Sequence, residues 1–212
     1  LFHLPTCGRE LTFKGGTSLS KGWQIIDRFS EDIDIVINKG ILGFDGEKSP
    51  EQAPTPSQEK KRLKRLKKAS RQYIIDNLEP ELRAAIKAEI DSDHPWQLEE
   101  DLEDPDRQTL LFTYPTAFPD ADSYVKRIVK IEMGARSDTE PIEDIVVTPY
   151  ISDTFPDLLS HDRIPVRAVA PKRTFWEKAM LLHEETFRSE EKKRRKAYLA
   201  RHYYDLFQMI QA

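Results

Sequence analysis

The stretch that decides the fold is "FKGGTSLSKGWQIIDRFSEDIDIVIN", residues 13–38. It begins at the end of a short strand, "LTFK" (11–14), which stops at Gly15-Gly16. "SLSKGWQIID" (18–27) can form a helix interrupted by Gly22. "DIDIVIN" (32–38) is β-branched and predicts a strand that "NKG" ends. Residues two apart on a strand share a face, so Asp32 and Asp34 project together, roughly 6–7 Å apart at the backbone. Ile33 and Ile35 point the other way, into a core. Two carboxylates on one face repel unless a cation sits between them. Magnesium takes oxygen ligands and binds through one or two carboxylates plus substrate phosphates, and two such ions ~3.5–4 Å apart can clamp an in-line phosphoryl displacement. The other reading of the pair is a strand whose polar face meets water.

Three further Asp-x-Asp pairs, Asp91/Asp93, Asp104/Asp106 and Asp120/Asp122, lie in polar stretches flanked by proline and read as solvated loops. Asp32/Asp34 is set apart by its apolar, β-branched run. Gly15-Gly16-Thr17-Ser18 lets backbone N–H groups approach an anion at the mouth of a helix; a turn that needs positive φ is the alternative. Glycines, then Thr/Ser, a short helix and Asp-x-Asp on the next strand together read as a phosphate cradle facing a metal site.

Outward from this stretch, "KSPEQAPTPSQ" (48–58) reads as a mobile loop, and from Glu59 to about Ile90 the spacing of Leu63, Leu66, Ile74 and Leu78 turns helical, with Pro80 starting a second helix. Residues 91–108 form an acidic connection. "TLLFTYP" (109–115), "YVKRIVKIEMGAR" (124–136), "IEDIVVTPYISD" and "IPVRAVA" are strand candidates. From Pro171 the chain reads helical, with Leu199, Tyr203, Leu206 and Ile210 as one stripe and Trp176, Tyr203, Tyr204 and Phe207 expected in the core. The order argues an α+β fold: a mixed sheet core flanked by helices, with a helical C-terminal part. We expect residues 1–150 to form the core, with a basic helical insertion at about 51–107, and residues 151–212 to complete the site. With 38% hydrophobic and 33% charged residues, the chain suits a sizeable core under a charged surface, and a net charge of −4 means that any nucleic-acid binding must come from local patches. A single cysteine, Cys7, excludes an internal disulfide and zinc sites built on several thiolates. No apolar run approaches the ~18 residues of a membrane span, and a cytoplasmic protein with no membrane partner is the expectation. His3, His94, His161, His183 and His202 show no ligand spacing and read as structural or surface groups. The chain begins at Leu1, which suggests that leading residues are absent.

"FKGGTSLSKG…RFSEDIDI" resembles the AbiEii/AbiGii toxin family of nucleotidyltransferases, within the DNA polymerase β-like superfamily, whose pattern is a glycine pair, a spacer, Asp-x-Asp and a third acid on a neighbouring strand. "KGGT" and "RFSEDID" are both present. "KRTFWEKAMLLHE" resembles the family's third motif, with Lys178 as its lysine, and "ARHYYDL" the fourth, with Asp205 as its acid. The resemblance covers both ends of the chain, and the centre, about 45–110, carries none of it. It implies a toxin of a type IV toxin–antitoxin or abortive-infection system that moves a nucleoside monophosphate from an NTP to an acceptor, in the best understood branch the 3′ end of tRNA. It also implies Mg2+ or Mn2+ as the metal and an antitoxin as partner.

On this view Asp32 and Asp34 hold the metal, Lys178 neutralises triphosphate charge and Asp205 serves the site. Glu132 is the candidate third carboxylate, with Asp144 as runner-up; Glu132 could equally be an exposed position paired with Lys130 or Arg136. Lys178 could otherwise bridge to Glu185, and Asp205 could pair with Arg201 four residues before it. Lys14, Gly15, Gly16, Thr17, Ser18, Arg28 and Ser30 are candidates for nucleotide binding, and Lys21 a weaker one. "EKKRLKRLKKASR" (59–71) is nearly single-signed. Lys60, Lys61, Arg62, Lys64, Arg65, Lys67 and Lys68 suit RNA phosphates or an antitoxin contact, and otherwise form a solvated face. A second basic run, 192–201, lies near Asp205 in sequence, and the acidic stretch 89–106 could shield the first run when no nucleic acid is bound.

Overall fold

The structure is a computed structural model. It describes every residue except 29, 31, 91–92, 117–125, 157, 160–162 and 190–195, and at 196–198 the backbone alone. Asp91, Asp120, Asp122, His161, the first two residues of the 124–136 segment and the first part of the 192–201 run lie outside the described residues. Among the described residues seven strands make a mixed sheet accompanied by helices, so the α+β expectation holds. The chain divides into two compact units: unit 1 is Leu1–Thr12 with Glu31–Asp138, and unit 2 is Phe13–Ser30 with Thr139–Ala212. Strand β1 (Leu11–Lys14) straddles that division and runs straight into a one-turn helix, α1 (Gly15–Thr17), and a wider π-type turn, Ser18–Gly22. The helical segment thus starts three residues earlier than its spacing predicts and ends at Gly22.

In unit 1, β2 (Asp32–Ile37) is followed by α2 (Pro56–Tyr73), α3 (Glu79–Glu89), β3 (Gln97–Glu100), β4 (Thr109–Thr113) and β5 (Ile128–Gly134). The loop expected at 48–58 tightens into 3-10 turns at Gly46–Lys48 and Pro50–Gln52. Thr55 then caps α2, its hydroxyl accepting from the Gln58 N–H at 3.3 Å, with Pro56 in the first helical position where no N–H is needed. Helices α2 and α3 meet without a loop through a π-type turn, Ile74–Leu78. Pro80 cannot donate to the preceding turn, and a widened turn is a common way to absorb that missing bond. Strand β3 lies within the acidic connection, where no strand was expected; Gln97, Glu99 and Glu100 hide it behind polar residues, and Leu98 alone is buried.

The unit 1 strands run β3-β4-β5-β2, antiparallel except for the parallel pair β5–β2. One face carries Ile35, Ile37, Ile131, Met133, Leu110 and Leu98, all buried, and α2 lies against β5. Each fully buried Leu or Ile contributes about 1.5–3 kcal/mol. A one-residue slip of β2 would exchange these isoleucines for Asp32 and Asp34, so the apolar face fixes which way the carboxylates point.

Unit 2 contains β6 (Ile142–Val147), α4 (Ile151–Thr154), β7 (Ile164–Val169), α5 (Pro171–Thr186) and α6 (Lys196–Gln211). Strand β7 pairs parallel to β1 through Phe13 and Ala168 and antiparallel to β6. Helices α5 and α6 pack against each other. Their polarity is the reverse of the expectation. The buried positions are Thr174, Lys178, Leu182 and Glu185 on α5 and His202 and Asp205 on α6, while Trp176, Met180, Tyr203, Phe207 and Ile210 are exposed. Trp176, Tyr203 and Phe207 are therefore not core residues, Tyr204 is half-buried, and of the predicted stripe only Leu199 and Leu206 are even partly covered. The polar face is buried because its charges meet partners there.

Candidate active site

The register of β2 against β5 sets the first group of site residues, all in unit 1. Asp32 stands opposite Lys130 and Asp34 opposite Glu132. Paired residues in neighbouring strands share a face, so two aspartates, one glutamate and one lysine line the polar side of the strand pair. Glu132 also faces Thr109 of β4. The Lys130 ammonium lies 2.9 Å from Glu132 Oε1 and 3.8 Å from Asp101 Oδ2. Its pKa is raised, first by the hydrogen bond to Glu132, against an opposing effect of burial, and further by the charges of Glu132, Asp32 and Asp101. The alternative pairing of Glu132 with Lys130 is thus realised, on the same face as the two aspartates. Asp144, the runner-up, is exposed on β6 in unit 2, opposite Arg167.

The loop before β4 supports this face. The Asp104 carboxylate accepts from Gln108 N and Thr109 Oγ1, both at 2.8 Å, and from Asp106 N at 2.9 Å. Burial pushes its pKa upward, but these donors outweigh it and hold the carboxyl below its ordinary value. A pair read as a solvated loop is therefore a folded support for Thr109, and an Asp with donors two and four residues ahead is the sequence signal for such a turn. Beside Glu132 lies a cavity of about 460 Å³, lined by Asp101, Glu103, Asp104, Asp106 and Lys130 among others.

A divalent cation fits the chemistry of this face. Asp32, Asp34 and Glu132 offer oxygen donors alone, which suit Mg2+ or Mn2+. Among the described residues no three His, Cys, Asp or Glu are gathered into a ready-made metal cluster, and Glu132 is held by Lys130.

The second group lies in unit 2, where three candidates distant in sequence meet. Arg28 donates to Asp205 in a two-pronged contact, Nε to Oδ1 at 2.7 Å and Nη2 to Oδ2 at 2.8 Å. Lys178 Nζ reaches Asp205 Oδ2 at 2.8 Å. Asp205 is fully buried and Lys178 nearly so. The local pairings with Glu185 and Arg201 are not what these residues adopt: Glu185 meets Arg188, and Asp205 meets Arg28 and Lys178. Burial pushes the Asp205 pKa upward, but the hydrogen bonds and charges of Arg28 and Lys178 prevail and hold it below its ordinary value. His202, buried one turn before it, has its pKa held down to about 4, first by burial and then by the charges of Lys178 and Arg201. The imidazole is neutral at physiological pH, and the Arg28–Lys178–Asp205 set keeps one net positive charge.

The glycine segment serves the same cluster. Gly15 has φ +76°, where a side chain is strained. A Cβ on Gly16 would lie 2.6 Å from Arg28 Nη2 and 3.3 Å from Ser30 Oγ, so its absence makes room for the guanidinium. The Ser18 hydroxyl donates to Gly15 O at 2.9 Å and holds the turn; Thr17 is buried, and Lys14 is half-buried at the end of β1. Lys21 places its ammonium 3.0 Å from the centre of the Tyr150 ring.

On α2, Lys60, Lys61, Lys64, Arg65 and Lys68 are exposed. Two members of the basic run do other work. Arg62 donates to Glu47 O and Ser49 O at 2.6 and 2.7 Å, and Lys67 pairs with Asp106. Arg71 pairs with Glu100, so the acidic connection does meet the end of the basic run.

A family model described as nucleotidyl transferase AbiEii toxin, type IV TA system, matches residues 1–212. No curated protein and no solved structure matches the chain.

Proposed function

The chain belongs to the nucleotidyl transferase AbiEii toxins of type IV toxin–antitoxin systems, and on that basis we propose that it transfers a nucleoside monophosphate from an NTP to an RNA acceptor, the tRNA 3′ end. The observation that carries this reading is the Arg28–Lys178–Asp205 set beside Gly16, a net positive cluster tied together by the buried Asp205, of the kind a triphosphate needs. Arg28 and Lys178 take phosphate oxygens, and Asp205 holds both cations in place. Asp32, Asp34 and Glu132 are the residues that would hold Mg2+ or Mn2+, which would supply positive charge to offset that of the phosphates and make the α-phosphorus more electrophilic. Glu132 accepts the proton of the acceptor hydroxyl. That oxygen forms a bond to the α-phosphorus, the α–β anhydride bond breaks, and pyrophosphate leaves with its electron pair. Such a transfer depends on positioning and charge more than on covalent help from the protein. The exposed lysines of α2 are the RNA contact in this reading, and an antitoxin is the regulatory partner.

The acidic cavity beside Glu132 favours a second reading, in which the acceptor is a cationic small molecule or a basic protein segment. One assay separates the two. α-Labelled NTPs are offered in turn with total tRNA, protein extract and aminoglycoside-type polyamines. Label in tRNA that disappears in Asp34→Ala supports the first reading. Label only in a cationic acceptor replaces it with the second, and no transfer with any NTP refutes both.

A further inference from the structure

We propose that Lys130 is a built-in competitor for the divalent cation, which keeps the carboxylate face closed to metal that arrives without nucleotide. The inference rests on the metal-binding role given above to Asp32, Asp34 and Glu132. Its basis is the register: Lys130 stands opposite Asp32 on the same face as Glu132, and Glu132 stands opposite Asp34. The ammonium lies 2.9 Å from Glu132 Oε1, so a metal competes with it for that oxygen and is repelled by its charge at the other. Asp101, 3.8 Å from the same ammonium, offers the displaced cation a second carboxylate. The four-carbon stem of a lysine makes such an exchange a side-chain rotation, with no movement of β5 required.

Two like charges in one carboxylate set repel, so the lysine lowers the affinity for free metal. Nucleotide changes the balance. A triphosphate brings four negative charges of its own, and the metal it carries then has ligands on both sides. The metal site fills with its substrate and stays closed otherwise, which suits a protein whose activity harms its own cell.

The test is Mn2+ binding to the full chain without nucleotide, followed by the electron paramagnetic resonance of free Mn2+. Removing a unit charge this close to the site should tighten binding by about tenfold or more in Lys130→Met. Lys130→Arg keeps the charge and should stay within about twofold of the parent, as should Lys87→Met, a control for a charge on exposed α3. Lys130→Gln serves if the methionine variant does not fold, and thermal midpoints check all of them. Unchanged or weaker Mn2+ binding in the neutral variants overturns the proposal. Asp34→Asn added to Lys130→Met distinguishes the deeper failure: if the double variant binds Mn2+ as Lys130→Met does, the metal does not sit on this strand pair and the metal reading itself falls.

Discussion

Asp205→Asn tests the buried cluster most directly. The asparagine keeps the shape and loses the charge. Arg28 then loses two charge-assisted bonds of 2.7 and 2.8 Å and Lys178 one of 2.8 Å, while the Lys178 side chain is only 10% exposed and that of Arg28 21%. Breaking a buried pair by removing one partner costs about 3–5 kcal/mol, because a charge is left uncompensated. Arg28 retains some access to water, so we place the loss at the lower end, about 3 kcal/mol. A domain's whole stability is about 5–15 kcal/mol, so the variant should still fold. Urea unfolding reads the effect as a lowered midpoint at constant slope. Replacing the whole set, with Asp205→Leu, Lys178→Met and Arg28→Met together, should recover most of the loss, since an apolar replacement of a buried ionic set is often near neutral. The acid limb gives a second check. Asp205 has a folded pKa below its unfolded value, so its contribution is fully present above about pH 3.9 and is lost as pH falls through the folded pKa. The asparagine variant should show a shallower fall of stability below that pH. A loss under about 1 kcal/mol with an unchanged acid limb would falsify the account of this cluster.

Folding lowers the pKa of His202, chiefly through burial, to about 4 from an unfolded value near 6.5. Between those values the unfolded chain binds more protons, so stability should fall by up to roughly 3 kcal/mol as pH drops from 7 to 4; His202→Leu should flatten that interval in a urea series. Gly16→Ala should raise the KM for NTP several-fold, as its methyl group pushes Arg28 away from Asp205, with a stability cost of about 1–2 kcal/mol; an unchanged KM would remove Arg28 from the triphosphate site. Charge reversal of Lys60, Lys61, Lys64, Arg65 and Lys68 should weaken RNA binding and reduce its salt slope by about one per lost phosphate contact, whereas Arg62→Ala should act on stability alone, because its guanidinium ties down the 47–49 turn. Trp176→Ala, Tyr203→Ala and Phe207→Ala should each cost less than about 1 kcal/mol in thermal or urea unfolding, as expected of exposed positions and not of a core.

Local pattern carried a good part of this molecule. The strand β2 and the sharing of one face by Asp32 and Asp34 were legible because a period of two is a property of the chain itself; that Val36 on the same face is buried, and Ile33 on the other only half-buried, was not. Strand β3 was not legible, since one buried leucine among charged residues has no period to read. The helices α5 and α6 show the same limit from the other side. Their apolar stripes have helical spacing, so spacing assigned them to the core, but spacing cannot tell which face of a helix finds partners. The family motif singled out Lys178 and Asp205, while their own helices offered Glu185 and Arg201 as near neighbours. In the structure Lys178 and Asp205 pair with each other, and Arg28, 177 residues from Asp205 in the chain, joins them. The sequence by itself determined that glycines, paired carboxylates, a lysine and a further acid occur in the order that the family resemblance asks for. Only the tertiary structure decided which charges neutralise one another, because burying a polar face requires counter-charges brought in from distant segments.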